Sequence, residues 1–423
     1  MARPSVTHRI TVRITVACLA FAAALGHAQT LPPAWIELGE GGQAIARVIV
    51  ANSATVVCPN ILVDGAQQAM LLRQPIPQGF QPVCEFGLSG GARTASINGQ
   101  ALHLPVAAVA SVVVLGDTGC RIKGARAQDC NDMTKWPLQA VADHAAGANP
   151  DLIIHVGDYL YRESVCPVNA QDKCGGTPVG DNWDTWNADF FGPAAKLLAA
   201  APWAFSRGNH EDCERAWQGW FYYLDPRPWT NVCATYTPAY VIKSGTRQLV
   251  MLDSSAVKED DADPQQVAQY VSDLQSLHVE NAWLVDHHPF WGVKSSEKGS
   301  SVKSLSAPLE AAWDQVKPKG IEMVLSGHVH LFAVLPFESG RPVQVISGDG
   351  GTMLAEPVPA SVDGTLIQGN AVRGSQTRME FGYTWLQITD NGWRLNLRST
   401  SDANIVQCDI ASGQTTCKAS DKP

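Results

Sequence analysis

Ser111-Val112-Val113-Val114-Leu115-Gly116-Asp117-Thr118-Gly119 is an apolar, β-branched run that stops at a polar turn. Such a run, apolar on both faces, reads as a strand buried within a parallel sheet. The same cadence returns four times. The run 152–156 leads into Gly157-Asp158-Tyr159-Leu160-Tyr161, and 203–205 leads towards Gly208-Asn209-His210-Glu211. Leu284-Val285 enters Asp286-His287-His288-Pro289, and 323–325 precedes Gly327-His328-Val329-His330. Between them, 136–146, 186–201, 265–277 and 309–316 carry helical periodicity. Further strands are read at 343–346, 384–388 and 393–397, too much sheet for one layer. The expected fold is α/β, a four-layer αββα sandwich of two stacked sheets between helices. Its polar motifs lie beyond the carboxyl ends of the strands, where α/β sheets place their sites.

Upstream, 29–108 holds short β-type runs (46–50, 55–57, 100–104) broken by Gly, Pro and Asn, and is read as a small N-terminal β domain. Residues 1–28 read as a secretory leader. Arg3, Arg9 and Arg13 precede a short apolar run, and Gly26-His27-Ala28 offers a small-x-small cleavage site. The apolar run is too short to span a bilayer. The remainder, 109–423, is expected to be the catalytic-type domain.

The formal net charge is -9, and removing the leader takes away three arginines and no acid. So acidic a chain is a poor nucleic-acid or anionic-membrane binder, and an anionic substrate would need a strongly cationic pocket. Metal ions supply one. Ten cysteines remain after Cys18, in near pairs: Cys58/Cys84, Cys120/Cys130, Cys166/Cys174, Cys213/Cys233 and Cys408/Cys417. Nearest-neighbour bridging is the simplest expectation for an exported chain, although connectivity does not follow from sequence.

Each polar motif alone is ordinary: Gly-Asp is a common turn, and Asn-His caps helices. Together they offer Asp, Asn, His and Tyr donors in number sufficient for two metal ions sharing one carboxylate. In this order the motifs resemble the calcineurin-like metallophosphoesterases, over roughly 110–350, and within them the purple acid phosphatases. Most of that superfamily has Asp-x-His as its first motif. Here Thr118-Gly119 follows Asp117, and Tyr161 stands three residues after Asp158, the substitution that marks the purple acid phosphatases.

The resemblance implies a first metal bound by Asp117, Asp158, Tyr161 and His330, and a second by Asp158, Asn209, His287 and His328. Phenolate and carboxylates are hard donors suited to Fe(III); imidazoles and an amide oxygen suit Fe(II), Zn(II) or Mn(II). His210 matches the substrate-contacting histidine, able to hold a phosphate oxygen or protonate the leaving alkoxide. His287 is preferred over His288 because the family pattern is His-x-Pro and neighbouring strand residues face opposite ways. The downstream histidines of plant-type relatives have no counterpart in 295–301; Lys294 or Lys298 could stand in for them, although exposed lysines usually do no more than solvate a loop. His144, His155 and His278 are read as structural. Glu211 and Asp212 fit either supporting hydrogen bonds or helix-start acidity, and the aromatic stretch 217–229 is read as core before pocket wall.

The implied activity is hydrolysis of small phosphate monoesters by direct attack of a metal-bound hydroxide, in a periplasmic or secreted protein without nucleic-acid or membrane partners. A phosphodiesterase or nucleotidase on the same scaffold is the alternative within the class. A catalytically silent exported binding protein is the alternative outside it.

Overall fold

Two sheets carry the molecule. In the first, Ser111–Leu115, Leu152–His155, Trp203–Phe205 and Trp35–Leu38 run parallel and side by side. An antiparallel meander from Gly382–Thr389 to Gln414–Ala419 extends one side; Ala44–Ile49, Val83–Leu88 and Leu71–Leu72 extend the other, completing eleven strands. The second sheet has seven strands, with Arg247–Met251, Ala282–Val285, Ile321–Ser326 and Val343–Ser347 parallel at its centre. This computed structural model describes residues 1–2, 31–294, 305–411 and 414–420. The leader read over 1–28 lies, apart from its first two residues, outside them, as does Lys298.

The period of two along each strand explains the layering. Val112 and Val114 pack with Val285, Leu325 and Val345 in a core between the sheets. Their neighbours Val113 and Leu115 point the other way, against the helix Leu138–Gly147 and the aromatics Trp186 and Phe190. On the far side, helices Pro264–Ser276 and Ala307–Val316 cover Val250, Leu284 and Val324. The fold is therefore the expected αββα sandwich. Helix Pro264–Ser276 begins where composition dictates: the Asp263 carboxylate accepts from Gln265 and Gln266 N–H groups, and Pro264 opens the first turn.

Some elements differ from their sequence reading. The helix expected over 186–201 is broken into Trp183–Trp186, a wide turn at Asn187–Phe191, and Ala195–Leu198. Pro193 cannot donate within a helix, so the chain bends there. Residues 55–57 form no strand, and only Gln100–Ala101 is extended in 100–104. The described part of 29–108 has eight strands and one short 3₁₀ turn at Glu40–Gly42; four of the strands continue the eleven-stranded sheet and four make a small sheet of their own. From Leu31 onward the described chain is one compact unit. All five nearest-neighbour cysteine pairs are bridged. No helix among the described residues is long and apolar enough to cross a membrane.

Candidate metal centre

At the carboxyl ends of the central strands the five polar motifs meet. Asp117, Asp158 and His330 offer ligand atoms within 4.8 Å of one another, and His287, His288 and His328 form a second such group. The Tyr161 hydroxyl sits within the first group, 2.7 Å from Asp158 Oδ2, 2.9 Å from Asp117 Oδ1 and 3.1 Å from His330 Nε2. Asn209 Oδ1 sits within the second, 3.0 Å from His287 Nε2 and 3.1 Å from His328 Nδ1. Asp158 joins the two groups, since its Oδ1 also lies 3.2 Å from His287 Nε2. The seven residues read as ligands are thus brought together.

The histidine rings are oriented as ligands need to be. His287 Nδ1 lies 2.9 Å from Val156 O, and His330 Nδ1 2.8 Å from Met353 O. A carbonyl only accepts, so Nδ1 carries the proton and Nε2 faces the site. His328 is reversed. Its Nε2 donates to Glu259 Oε1 at 3.1 Å, leaving Nδ1 inward. That hydrogen bond, against opposing burial, draws the Glu259 carboxyl down to about 2.

Charge in the centre calls for a cation. Asp117 and Asp158 are essentially fully buried. Burial, with Asp158 beside it, pushes Asp117 well above the usual carboxylate range, while His287 and His210 overcome burial to hold Asp158 well below it. Burial opposes a proton on His287, yet Asp158 and Asp117 drive it up to about 10. Burial and the Arg121 charge push His330 down to about 3, keeping it in the neutral, ligating form. Buried carboxylates recruiting a proton onto an imidazole is what a cation site looks like, and the O- and N-donor set fits metal ions.

Gly119 has a steric reason to be glycine. A Cβ there would lie 2.4 Å from Tyr159 O and 2.8 Å from Tyr161 N. The first-motif turn and the Tyr161 loop are packed backbone to backbone, with Asp189 bridging them: its carboxylate accepts from Cys120 N at 3.1 Å and Tyr161 N at 2.8 Å. Glu211 braces the same loop, accepting from the N–H groups of Asp158, Tyr159 and Leu160 at 3.1, 2.9 and 3.1 Å. Asp212 serves a local turn, accepting from Glu214 N, and lies 3.9 Å from Arg215 Nε. Asp117, Asp158 and His328 hold φ of +54°, +60° and +68°, strain of the kind that collects at functional sites.

His210 is placed beside the first group, its ring 3.9 Å from that of Tyr161. Its Nδ1 lies 3.2 Å from Leu160 O and 2.8 Å from Glu163 Oε1, so Nε2 is the atom turned to the centre, 3.8 Å from Asp158 Oδ2. His287 and His288 follow the end of their strand, where alternation no longer governs direction. The His288 ring lies 4.0 Å from that of His328, tilted by 37°, and its buried Nδ1 has no hydrogen-bond partner among the described residues. His155 is core: it stacks on Tyr159 at 3.9 Å and its Nε2 lies 3.1 Å from Thr118 Oγ1. The 220–224 aromatics are core as well.

Sequence reasoning missed Arg121, Glu163, Asp189 and Glu259, each outside the recognisable motifs. A cavity of about 170 Å³ opens beside the centre, lined by His328, His330, Lys294, Leu331, Ala355 and Val358 among others.

A family model described as calcineurin-like phosphoesterase matches residues 110–332. No curated protein matches the chain by sequence. Among solved structures, it is similar to a purple acid phosphatase from yellow lupin (Lupinus luteus) seeds, with 14% identity, TM-score 0.57, and coverage of 91% of this chain and 74% of that one. It is similar also to PhoD, with 10% identity, TM-score 0.55, and 93% of each chain covered. At such identities the likeness is one of fold.

Proposed function

Since the chain belongs to the calcineurin-like phosphoesterase family and is a metal-dependent phosphoester hydrolase, we propose that it cleaves phosphate monoesters at a two-metal centre of the purple acid phosphatase kind. The observation carrying this reading is the Tyr161 hydroxyl, seated among Asp117, Asp158 and His330 beside a position that admits only glycine. In the proposal Asp117, Asp158, Tyr161 and His330 hold Fe(III), and Asp158, Asn209, His287 and His328 hold Fe(II), Zn(II) or Mn(II). Bound there, two such ions supply Lewis acidity towards phosphoryl oxygens and lower the pKa of water.

The protein's own groups do the rest. Val156 O, Met353 O and Glu259 fix which nitrogen each histidine presents. Glu163 and Leu160 O hold His210 with Nε2 inward, placed to bind a phosphate oxygen or to deliver a proton to the leaving alkoxide. Five disulfides fit an oxidising, exported setting. The cleavable leader at 1–28, the β domain at 29–108, the phosphoesterase domain at 109–423 and a periplasmic or secreted address belong to the same proposal.

The test is expression in iron-supplemented medium, then metal analysis, an absorption spectrum, and a panel of monoesters against diesters. The expected protein contains iron, absorbs in the visible, and prefers monoesters. Tyr161→Phe is expected to abolish the visible band and weaken iron retention; unchanged colour and iron content would sink the phenolate assignment. A preference for diesters would select the phosphodiesterase alternative. Neither metal nor turnover would select the silent binding protein.

A further inference from the structure

We propose that Arg121 is a phosphate-binding side chain of this site, beside His210, gripping a non-bridging oxygen of the ester where residues 295–301 offer no histidine. The inference deepens the monoester reading and rests on it. Arg121 lies two residues beyond Gly119, and its guanidinium carbon stands 5.8 Å from the centroid of the Tyr161 ring. The hydroxyl of that ring touches both Asp117 and Asp158. The guanidinium is therefore at the rim of the centre, on the side of the first metal group.

Its electrostatic state sets it apart from its basic neighbours. Lys123 and Arg215 are both within ion-pair reach of Glu163, at 3.1 and 3.5 Å, and Lys294 lies 3.6 Å from Glu259. Among the described residues no carboxylate lies within ion-pair distance of Arg121. Its buried Nε has no hydrogen-bond partner among the described residues. A half-buried guanidinium without an anion is unfavourable by itself, and a phosphate oxygen pair matches its planar fork.

The backbone beneath it is held firmly. Cys120 is bridged to Cys130. Arg121 N donates to Gln128 Oε1 at 3.1 Å, Gln128 N donates to Arg121 O at 2.8 Å, and Gln128 Nε2 donates to Gly351 O at 2.9 Å. A donor on a braced loop loses little freedom on binding, as a preorganised anion contact requires.

The experiment uses iron-loaded full chain with Arg121→Gln and Arg121→Lys. Inorganic phosphate is titrated calorimetrically, and KM is measured for 4-nitrophenyl phosphate and for bis(4-nitrophenyl) phosphate. Arg121→Gln should weaken phosphate binding by roughly tenfold or more, as expected for loss of a charge-assisted contact. It should also raise KM more for the dianionic monoester than for the monoanionic diester, with iron content and melting temperature unchanged. Arg121→Lys should recover part of the affinity, keeping the charge but not the fork. Unchanged phosphate affinity in Arg121→Gln overturns the proposal, as does a loss that tracks loss of iron. A parent chain that binds no iron and cleaves neither ester overturns the monoester reading and this inference with it, a result distinct from an indifferent Arg121→Gln.

Discussion

Position 119 couples two features that look independent in the sequence, the absent histidine and the added tyrosine. A side chain at 119 would have to displace the backbone at Tyr159 and Tyr161. Gly119→His is therefore expected to restore no ligand. It should instead push the Tyr161 loop away, cost on the order of 1–3 kcal/mol through overpacking, and lower iron content. Denaturant unfolding with metal analysis reads both; a stable, iron-replete variant would contradict the packing argument. Gly119 and Tyr161 were legible in the sequence because each replaces an expected residue at a counted position. Arg121, Glu163 and Glu259 were not. Each acts by where a loop delivers it, and nothing in its local sequence announces the histidine or tyrosine it meets.

The loop 157–161 is a strand-to-site connection whose shape is imposed from outside. Glu211, fully buried, collects three of its N–H groups, and Asp189 collects a fourth. Glu211→Gln keeps the size but sets an NH₂ against N–H groups. It should destabilise the fold by about 1–3 kcal/mol for unsatisfied buried donors and reduce metal content through Asp158 and Tyr161. A thermal melt and metal assay check this; unchanged values in both would mean the loop holds itself. The sequence placed Glu211 between two readings, helix-start acidity and a supporting role, because a short Gly-Asn-His-Glu segment satisfies both patterns. Asp189 was hidden inside a stretch read as continuous helix, and only the wide turn at Asn187–Phe191 brings its carboxylate to the loop.

Across the whole molecule, the N-terminal strands are tied to the rest through buried arginines. Arg47, fully buried, lies 2.5 Å from Glu37 Oε2 and donates to Tyr223 O and Asp225 O at 2.7 and 2.8 Å. Arg73 meets Glu85 at 2.8 Å and donates to Phe221 O, Asp225 O and Arg227 O. Arg47→Met takes the cation from the buried Glu37 and the donor from Tyr223 O, while Asp225 O keeps Arg73, a loss of about 3–5 kcal/mol for a broken buried pair. The expected result is a lower denaturant midpoint shared by tryptophan fluorescence and circular dichroism. A separate early transition confined to 29–108 would instead make that stretch an independently folding unit.

By itself the sequence determined the alternation of buried strand and polar turn, and hence the layered α/β fold with donors at the strand ends. It also carried the Gly119 and Tyr161 pairing and the near-paired cysteines. These are local: period, composition and spacing along the chain are enough to express them. Tertiary structure alone decided which nitrogen each histidine presents, which carboxylates brace the loops, and that Arg121 stands beside Tyr161 with no carboxylate in ion-pair reach among the described residues. Those depend on groups far apart in sequence, whose meeting is set by how two sheets stack and where their loops converge, and no local pattern encodes that distance.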